Sequence, residues 1–487
     1  MVNLLEKIQR FLIRTDNKLN EPLPWKKMKI ADLNELNLFL SEYPETNMLE
    51  VLSPDINGIL RGKRIPTKEF ESFFNEGVKS PGSVSLCNSR GEFSDDVDMG
   101  TFEGDPDNLM RPLANTIAPI SWLKSDTAQI LSSFVNLDGS PAMFDPRNVL
   151  IQALTPFYKL GLKAIVATEL EFYLIEDSDQ EAPKRRLANI PGTSLPQTGI
   201  QYAMPENLWD HDDFLEDIRR TCIEQNVPMT TVVSEFSQGQ YEINLHHVDD
   251  PVVACDHAIL LKRIVKGVAR QHGMSACFMA KPFTGIAGCG LHVHFSAYDQ
   301  DGINIFADSG SRETPAISAA LRHAVGGLAV TMEEAMPIFA PNANSYRRLI
   351  PGSYAPLTPN WGYNHRDVSL RIPVSDLDNC RVEHRVAGAD ANPYLVMAVI
   401  AAGIHHGMTQ ECDPGKMIPE GHEIEDEVIT LPRLWSIALD KFDAGSVLPY
   451  YLGEDFCRLF SRMRRSECDD FLEQVSNVDY EWYLRSV

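Results

Sequence analysis

The stretch A-I-V-A-T-E-L-E-F-Y-L-I, residues 164–175, decides how the rest of the sequence is interpreted. Its polar and apolar residues alternate, so Glu169, Glu171 and Tyr173 lie on one face of a predicted strand. The β-branched and aromatic residues around them favour a strand over a helix. Two carboxylates on one face repel each other unless solvent, a proton or a cation lies between them. Taken alone, the stretch favours an ordinary solvated edge strand, and only the remaining sequence reverses that interpretation.

The composition is that of a globular protein and argues against some classes of partner. Of the 487 residues, 44% are apolar and 23% are charged, and the net charge is −24. This charge argues against a nucleic acid or an anionic membrane as partner. Nine scattered cysteines without a C-x-x-C motif predict a reducing compartment, with neither a disulfide framework nor a zinc-thiolate site. The N-terminus is too charged for a signal peptide and residues 394–404 are too short to span a bilayer, so we expect a cytoplasmic protein.

The order of predicted elements indicates an α+β protein. Residues 1–28 are predicted to form a helical extension, residues 29–127 a small β-rich domain, and residues 128–487 a larger domain in which strands and helices alternate. In the small domain a helix predicted over residues 30–45 is followed by a hairpin over residues 48–66, whose turn contains Pro, Asp, Asn and Gly. The long polar loop over residues 176–210 is typical of a lid or a binding loop.

Four further segments repeat the alternation of the first stretch. They are Y-E-I-N-L-H-H (241–247), L-H-V-H-F-S (291–296), V-S-L-R-I-P (368–373) and R-V-E-H-R (381–385), and Glu235 precedes the first of them. Any one of these could be an ordinary half-exposed strand. A sheet curled into a half-barrel would instead direct all their polar faces into one cavity. So much charge in one cavity requires bound ions and a charged ligand.

The types of side chain on these faces indicate which ions and which chemistry. Carboxylates dominate, one or two imidazoles accompany them, and no thiolate is present, which favours Mg²⁺ or Mn²⁺ over a structural zinc. The carboxylates are more than one such ion usually takes, so two or three ions are expected. Arginines beside clustered divalent ions indicate phosphoryl transfer, because both neutralise charge on the phosphoryl group.

Ordered sequence blocks resemble the glutamine synthetase family from about residue 48 to the C-terminus. The blocks are E-L-E-F-Y-L (169–174), S-E-F-S-Q-G-Q-Y-E-I-N (234–244), F-M-A-K-P-F (278–283), G-C-G-L-H-V-H-F-S (288–296), N-S-Y-R-R-L-I-P-G (344–352), W-G-Y-N-H-R (361–366) and R-V-E-H-R-V-A-G-A-D-A-N-P-Y-L (381–395). The resemblance implies an N-terminal β-grasp domain and a catalytic domain built on an antiparallel half-barrel with flanking helices. It also implies ATP as co-substrate and a homo-oligomer, a dodecamer of two stacked hexameric rings with active sites between subunits.

The resemblance also implies roles for individual positions. The first metal would be bound by Glu171, Glu235 and Glu242, and the second by Glu169, His292 and Glu383. Glutamate would be bound at Gly288, Arg348 and Arg385. The nucleotide would contact His294, Ser296, Arg366 and Arg381, with Arg366 and Arg371 facing the phosphoryl group in transfer.

Three positions depart from the ammonia-using members of that family. Tyr354 stands in the flap where those members carry Glu, Asn88 stands where they carry an Asp that grips ammonium, and Ala287 replaces an Asn. The blocks N-G-I-L-R-G-K-R-I-P (57–66) and D-P-R-N-V-L (145–150) are most similar to the γ-glutamylputrescine synthetase branch, to which Tyr354 also fits. Asn88 departs even from that branch, where an Asp is expected.

The sequence thus predicts an ATP-dependent ligase that joins the γ-carboxylate of L-glutamate to putrescine or another polyamine, through a γ-glutamyl phosphate, in polyamine catabolism. The alternatives are a ligase for a monoamine or ethanolamine, and a glutamine synthetase that uses ammonia. A catalytically silent scaffold or regulator, and a phosphotransferase like the guanidino kinases that share the fold, also stay open.

Overall fold

The computed structural model of the protein describes residues 28–93, 104–177, 182–200, 202–310, 316–422 and 430–487. Within these ranges the predicted α+β class is confirmed, because two β-sheets combine with helices along one chain. The helical extension predicted for residues 1–28 lies outside the described residues, apart from Met28.

A six-stranded sheet begins with the predicted hairpin. Strand β1 (Met48–Pro54) pairs antiparallel with β2 (Leu60–Pro66), and the Asp55 carboxylate in their turn accepts the backbone N–H groups of Asn57 and Ile59, each at 2.8 Å. A later strand, β6 (Thr127–Val135), lies parallel to β1, which is the topology that a β-grasp domain requires. The other elements of this part are α1 (Leu33–Glu42), α2 (Phe70–Glu76), β3 (Val78–Pro81), β4 (Asp107–Pro112) and β5 (Ala118–Pro119).

Strand β6 crosses the domain boundary predicted near residue 128. It begins at Thr127 and pairs with β1, β4 and β5, so it belongs to the first sheet. The sequence pattern predicts a strand at this position but not the strands with which it pairs, because β-pairing over long separations leaves no local signal. We therefore propose a boundary after Val135, which keeps all strands of the first sheet in one domain.

An eight-stranded sheet forms the second part and curls as a half-barrel. Its strand order is β12-β13-β14-β11-β7-β9-β8, with β10 paired to β7, and every pair is antiparallel except β12 with β13. The strands are β7 (Lys163–Glu176), β8 (Met229–Ser234), β9 (Gln240–Leu245), β10 (Met274–Cys277), β11 (Leu291–Tyr298), β12 (Trp361–Tyr363), β13 (Leu370–Ile372) and β14 (Val382–His384). All five polar-faced segments of the sequence are therefore strands of one sheet.

Three of the long helices begin with the same local signal. Asp145, Asp250 and Asn392 each precede a proline, and each side chain accepts backbone N–H groups of the first helical turn. These helices are α3 (Pro146–Lys159), α6 (Pro251–Gln271) and α8 (Pro393–Gln410). The others are α4 (Glu206–Trp209), α5 (Asp212–Glu224), α7 (Ala319–Phe339), α9 (Trp435–Asp443), α10 (Leu448–Leu452), α11 (Glu454–Leu472) and α12 (Asn477–Tyr483).

Helix α8 lies at the centre of the helical layer and is buried along nearly its whole length. It contains the apolar run 394–404, and across the described ranges no helix is long and apolar enough to cross a membrane. Helix α7 packs closely on α8 through glycines: a methyl group on Gly327 would overlap the carbonyl oxygen of Gly403 and the backbone of Gly407. The absence of side chains at these three positions sets the distance between the helices.

Gly327→Ala is expected to lower the free energy of unfolding by about 1–3 kcal/mol, because the overlap with α8 outweighs the better helix propensity of alanine. Urea unfolding measures the change. Gly199→Ala is the matched control, since Gly199 has an ordinary φ and its nearest neighbouring atom would lie 3.9 Å from the new methyl group. Equal stabilities for the two variants would contradict the close helix contact.

Candidate active site

The predicted polar faces meet because their strands are neighbours in one sheet. In the cross-strand register Glu169 lies opposite His292, and Glu171 lies opposite Glu242. On the next strand Glu383 lies opposite His294. Directly opposed residues have Cβ atoms only about 5 Å apart. The strand register therefore assembles a cluster from residues that are more than two hundred positions apart in the chain.

Two groups of side chains in this cluster are close enough to bind cations. Glu169, His292 and Glu383 form one group, and Glu171, Glu242 and His292 form the other, with the ligand atoms of each group within 4.8 Å of one another. The first group is the set predicted for the second metal. The other group contains two of the three residues predicted for the first metal. Glu235, the third, belongs to neither group, but its charge acts on both Glu171 and Glu242.

Burial and mutual repulsion raise the pKa values of two carboxyl groups in this cluster. Burial, followed by the charge of Glu235, raises the pKa of Glu171 to about 7. Burial, followed by the charge of Glu169, raises the pKa of Glu242 to about 9. Carboxyl groups in this condition ionise readily only when a cation joins them. The donor set, carboxylate oxygens with one imidazole, suits Mg²⁺ or Mn²⁺, so the residues fit the divalent ions that the sequence predicts.

Glu169 and Glu383 are held as anions by cationic and hydrogen-bonding partners. Burial alone would raise the pKa of Glu169, but its hydrogen bonds with His292 (3.2 Å) and His294 (2.8 Å) outweigh burial and lower it strongly. Burial likewise opposes the ionisation of Glu383, yet the charge of Arg385 lowers its pKa to about 2. The cluster therefore combines two firmly ionised carboxylates with several that need a cation.

Three predicted arginines reach this cluster. Arg371 donates to Glu383 at 2.9 Å, and Arg385 forms an ion pair with the other oxygen of the same carboxylate. Arg348 is buried, donates to the carbonyl oxygen of Val386 at 2.8 Å, and its charge acts on Glu171. Positive charge thus borders the acidic groups, as the binding of anionic reactants requires.

The positions predicted to contact nucleotide continue along β11 from the metal groups. His294 bonds through Nε2 to Glu169, and its Nδ1 accepts a hydrogen bond from Arg381 at 3.2 Å. Ser296 lies two residues further along the same face and is largely buried. The three side chains therefore follow one edge of the acidic cluster.

Glycines let the backbone approach the charged groups closely. A methyl group on Gly290 would lie 2.9 Å from Nε2 of His292 and 3.0 Å from Nη2 of Arg348, and one on Gly288 would overlap the carbonyl oxygen of Ala280. The amide of Gly290 also donates to Glu171 at 2.7 Å. The glycine-rich segment before β11 is therefore part of the site, and a side chain at either position would displace its charged groups.

Gln240 belongs to the site, although the sequence analysis assigned it no role. Its side-chain amide donates to the carbonyl oxygen of Gly288 at 2.9 Å and to Glu171 at 3.3 Å. It lies two residues before Glu242 on β9, so the alternation that found Glu242 also places Gln240 on that face. Its amide therefore links β9 to β7 and orients the Glu171 carboxylate.

Arg366 and Tyr354 lie at the Glu235 edge of the site. Arg366 is exposed, and its charge lowers the pKa of Glu235, although burial raises that pKa overall. Tyr354 has a φ of 56°, and its ring centroid lies 5.2 Å from that of Phe236, the neighbour of Glu235. Both predicted positions therefore border the cluster.

Asn88 lies apart from the cluster, in the first sheet's part of the chain. Its side-chain oxygen accepts the backbone N–H groups of Arg90 and Glu92, and its side-chain amide donates to Glu92. Within the parts of the chain that the structure describes, its hydrogen bonds do not reach the acidic groups. Its predicted role would therefore need a second subunit.

The catalytic-domain model of the glutamine synthetases matches residues 143–483, which include every described residue of the acidic cluster. The chain belongs to the glutamine synthetase family. It is 38% identical over 456 residues to gamma-glutamylputrescine synthetase PuuA of Escherichia coli (strain K12), covering 94% of this chain and 95% of that protein. It is 33% identical over 441 residues to a glutamate–isopropylamine ligase of a Pseudomonas species, covering 88% of this chain and 93% of that one.

A solved structure of apo GmaS without ligand has the same fold as this glutamine synthetase family member. The TM-score is 0.79 at 25% identity, and the match covers 93% of this chain and all of that one. The half-barrel and the family resemblance that the sequence predicted are therefore confirmed.

Arg385→Met is expected to lower the free energy of unfolding by about 3 kcal/mol when measured with a chelator present, because it removes one cationic partner from the fully buried Glu383. Arg219→Met is the matched control, since it breaks an exposed pair with Glu216 and should leave the free energy of unfolding almost unchanged. If both variants lost the same small amount in urea unfolding, Glu383 would not depend on Arg385.

Proposed function

We propose that the protein is an ATP-dependent ligase that joins the γ-carboxylate of L-glutamate to a primary amine, with putrescine or another polyamine as the amine. One observation carries the proposal: paired acidic groups bordered by arginines lie in a glutamine synthetase family member whose expected ammonium positions hold Tyr354 and Asn88. Two neutral side chains in place of two acids disfavour the small ammonium cation. The similarity to gamma-glutamylputrescine synthetase supports a diamine.

In this proposal each part of the cluster has a task. Glu171, Glu235 and Glu242 hold one divalent ion, and Glu169, His292 and Glu383 hold a second, with Mg²⁺ or Mn²⁺ preferred and a third ion allowed for. The bound ions supply Lewis-acid stabilisation of the negative charge on the phosphates. Gly288, Arg348 and Arg385 hold glutamate. The nucleotide lies along His294, Ser296 and Arg381.

The proposed reaction has two steps, because a carboxylate is a poor acyl donor. The γ-carboxylate of glutamate first attacks the γ-phosphoryl group of ATP, which gives γ-glutamyl phosphate and ADP. Arg366 and Arg371 stabilise the charge on the group in transfer. The neutral amine then attacks the acyl carbon, phosphate leaves, and an amide forms. A protonated amine cannot attack, so a carboxylate near the amine must accept its proton.

Phosphate release from ATP with L-glutamate and Mg²⁺ across a panel of amines tests the proposal. The panel holds putrescine, cadaverine, spermidine, ethanolamine, isopropylamine and ammonium. Strong release with diamines and little with ammonium is expected. Release mainly with ammonium would identify a glutamine synthetase, and preference for isopropylamine or ethanolamine a monoamine ligase. No release with any amine would favour a regulator, and a stable phosphorylated product without amide a phosphotransferase.

Glu242→Ala and His292→Ala are expected to abolish turnover, because each removes a ligand from the proposed metal sites. Mn²⁺ binding followed by electron paramagnetic resonance should weaken by about tenfold or more, while the sedimentation of the assembly is unchanged. Glu216→Ala, an exposed glutamate on α5, is the control and should bind and turn over normally. Normal activity of either site variant at saturating Mg²⁺ would refute the metal assignment.

Tyr354→Glu is expected to raise the use of ammonium relative to putrescine by about tenfold, because it places a carboxylate in the flap and at the same time removes an exposed ring whose apolar surface only the longer amine can use. The ratio of the two kcat/KM values is the measurement. Tyr354→Gln has the same length without the charge and separates electrostatics from loss of the ring. An unchanged ratio in Tyr354→Glu would mean that the flap does not select the amine.

The proposal extends to assembly and location. Helix α12 has no buried residue, and apolar side chains around it are exposed, among them Val478, Trp482, Tyr483 and Leu484. Such a face supports a homo-oligomer, and we propose the dodecamer of two stacked rings, in which Asn88 of one subunit would face the site of the next.

All nine cysteines are free thiols, which supports a cytoplasmic location.

A further inference from the structure

Three aromatic rings gather at the Glu235 edge of the site. The ring centroid of Phe236 lies 6.5 Å from that of Tyr202 and 5.2 Å from that of Tyr354. The rings come from three separate segments: the long loop before α4, the loop between β8 and β9, and the flap after Arg348. We call these three side chains the aromatic wall.

Two of the segments are fixed to the backbone beside Glu235. The amide of Phe236 donates to the Glu235 carboxylate at 3.1 Å, and the amide of Glu235 donates to the carbonyl oxygen of Gln240 at 2.9 Å. The backbone amide of Ala203, the residue after Tyr202, donates to the carbonyl oxygen of Ser234 at 2.9 Å. Tyr202 and Phe236 are therefore positioned by the strand end that carries Glu235.

The third segment is fixed to the backbone of a site arginine. The Ser353 hydroxyl donates to the carbonyl oxygen of Arg348 at 2.7 Å. Tyr354 follows with a φ of 56°, a conformation that a bulky residue adopts only at a cost and that concentrates at ligand-binding sites. In this conformation the Tyr354 ring lies beside that of Phe236.

The wall is apolar surface next to strong negative charge. Tyr202 is 50% exposed and Tyr354 is 63% exposed, so the rings are not closed off as a core. The phenol of Tyr202 lies near the charges of Glu235, Arg366 and Glu242, and its pKa is raised by burial and then by Glu235. Acidic groups attract an ammonium group, while aromatic faces bind hydrocarbon and cationic groups. The two features together match an amine with an alkyl chain better than they match ammonium.

We propose that Tyr202, Phe236 and Tyr354 bind the hydrocarbon chain of the amine, and that this wall makes the site selective for primary alkyl amines of several carbons. The proposal rests on the ligase function proposed above and adds to it the residues that recognise the chain. The reacting nitrogen lies at the Glu235 end of the wall, and the chain extends over Phe236 between the two tyrosines.

A series of straight-chain amines tests the wall in the unaltered protein. Methylamine, ethylamine, propylamine and butylamine have similar basicities but differ in apolar length. The kcat/KM value is expected to rise about threefold to fourfold with each methylene group that lies on the wall. A flat or falling series in an active protein would overturn the proposal without any variant.

Phe236→Ala removes the central ring and is expected to reduce the ratio of kcat/KM for butylamine to that for methylamine by about tenfold. The reduction should lie mainly in KM for the longer amine. Phe236→Leu restores apolar surface and should recover much of the ratio. Tyr450→Ala is the matched control, because Tyr450 is an exposed tyrosine on α10, outside the wall, and its loss should leave the ratio unchanged.

The outcomes separate this proposal from the one on which it rests. If the unaltered protein releases no phosphate with any amine, the ligase function fails. If it releases phosphate but Phe236→Ala has the same chain-length dependence as the unaltered protein, the ligase function stands and the wall fails. If Phe236→Ala is poorly folded, the chain-length series of the unaltered protein still decides.

Discussion

The repulsion among buried carboxyl groups is the constraint on which the rest of the site depends. Glu169, Glu171 and Glu242 lie on the polar face of two neighbouring strands, and Glu383 approaches from a third. A sheet holds such a face together only when cations balance it. Arg371 and Arg385 supply part of the balance, and divalent ions are the natural source of the remainder.

Close approach of the backbone, more than additional charged side chains, holds the repelling carboxyl groups in place. Gly288 and Gly290 bring the segment before β11 against Arg348 and His292, where any Cβ atom would collide. The backbone amide of Gly290 and the side-chain amide of Gln240, both neutral groups, donate hydrogen bonds to the Glu171 carboxylate. Neutral donors orient a carboxylate without cancelling the charge that a cation needs, so the site can stay both ordered and acidic.

Selectivity among amines depends on a different edge of the same site. The acidic groups would attract any ammonium group, so charge alone cannot separate ammonium from a diamine. Apolar surface can, because only a longer amine has a chain to remove from water. The strained flap at Tyr354 and the short loop that presents Phe236 provide this surface next to Glu235. Catalysis and recognition would then be divided between the strands and the loops.

Local sequence patterns were enough to predict the faces of the strands and the residue types on them. Alternation separates Glu169 and Glu171 from Leu170, and His292 and His294 from Val293, since the side-chain period of a strand is two. The Asp-Pro and Asn-Pro pairs likewise fix helix starts through local hydrogen bonds. Family motifs then identified the half-barrel, because ordered motifs over hundreds of residues do not arise by chance.

Which strands are neighbours follows from packing in three dimensions and from no local pattern. The parallel pairing of β6 with β1 places β6 in the first sheet and is the reason for the boundary that we propose after Val135, because pairing partners are chosen by packing far along the chain. The same holds for Gln240, whose bonds to Glu171 and Gly288 join distant segments. The contact of Phe236 with Tyr202 and Tyr354 also depends on three loops meeting in space, and no local pattern encodes that meeting.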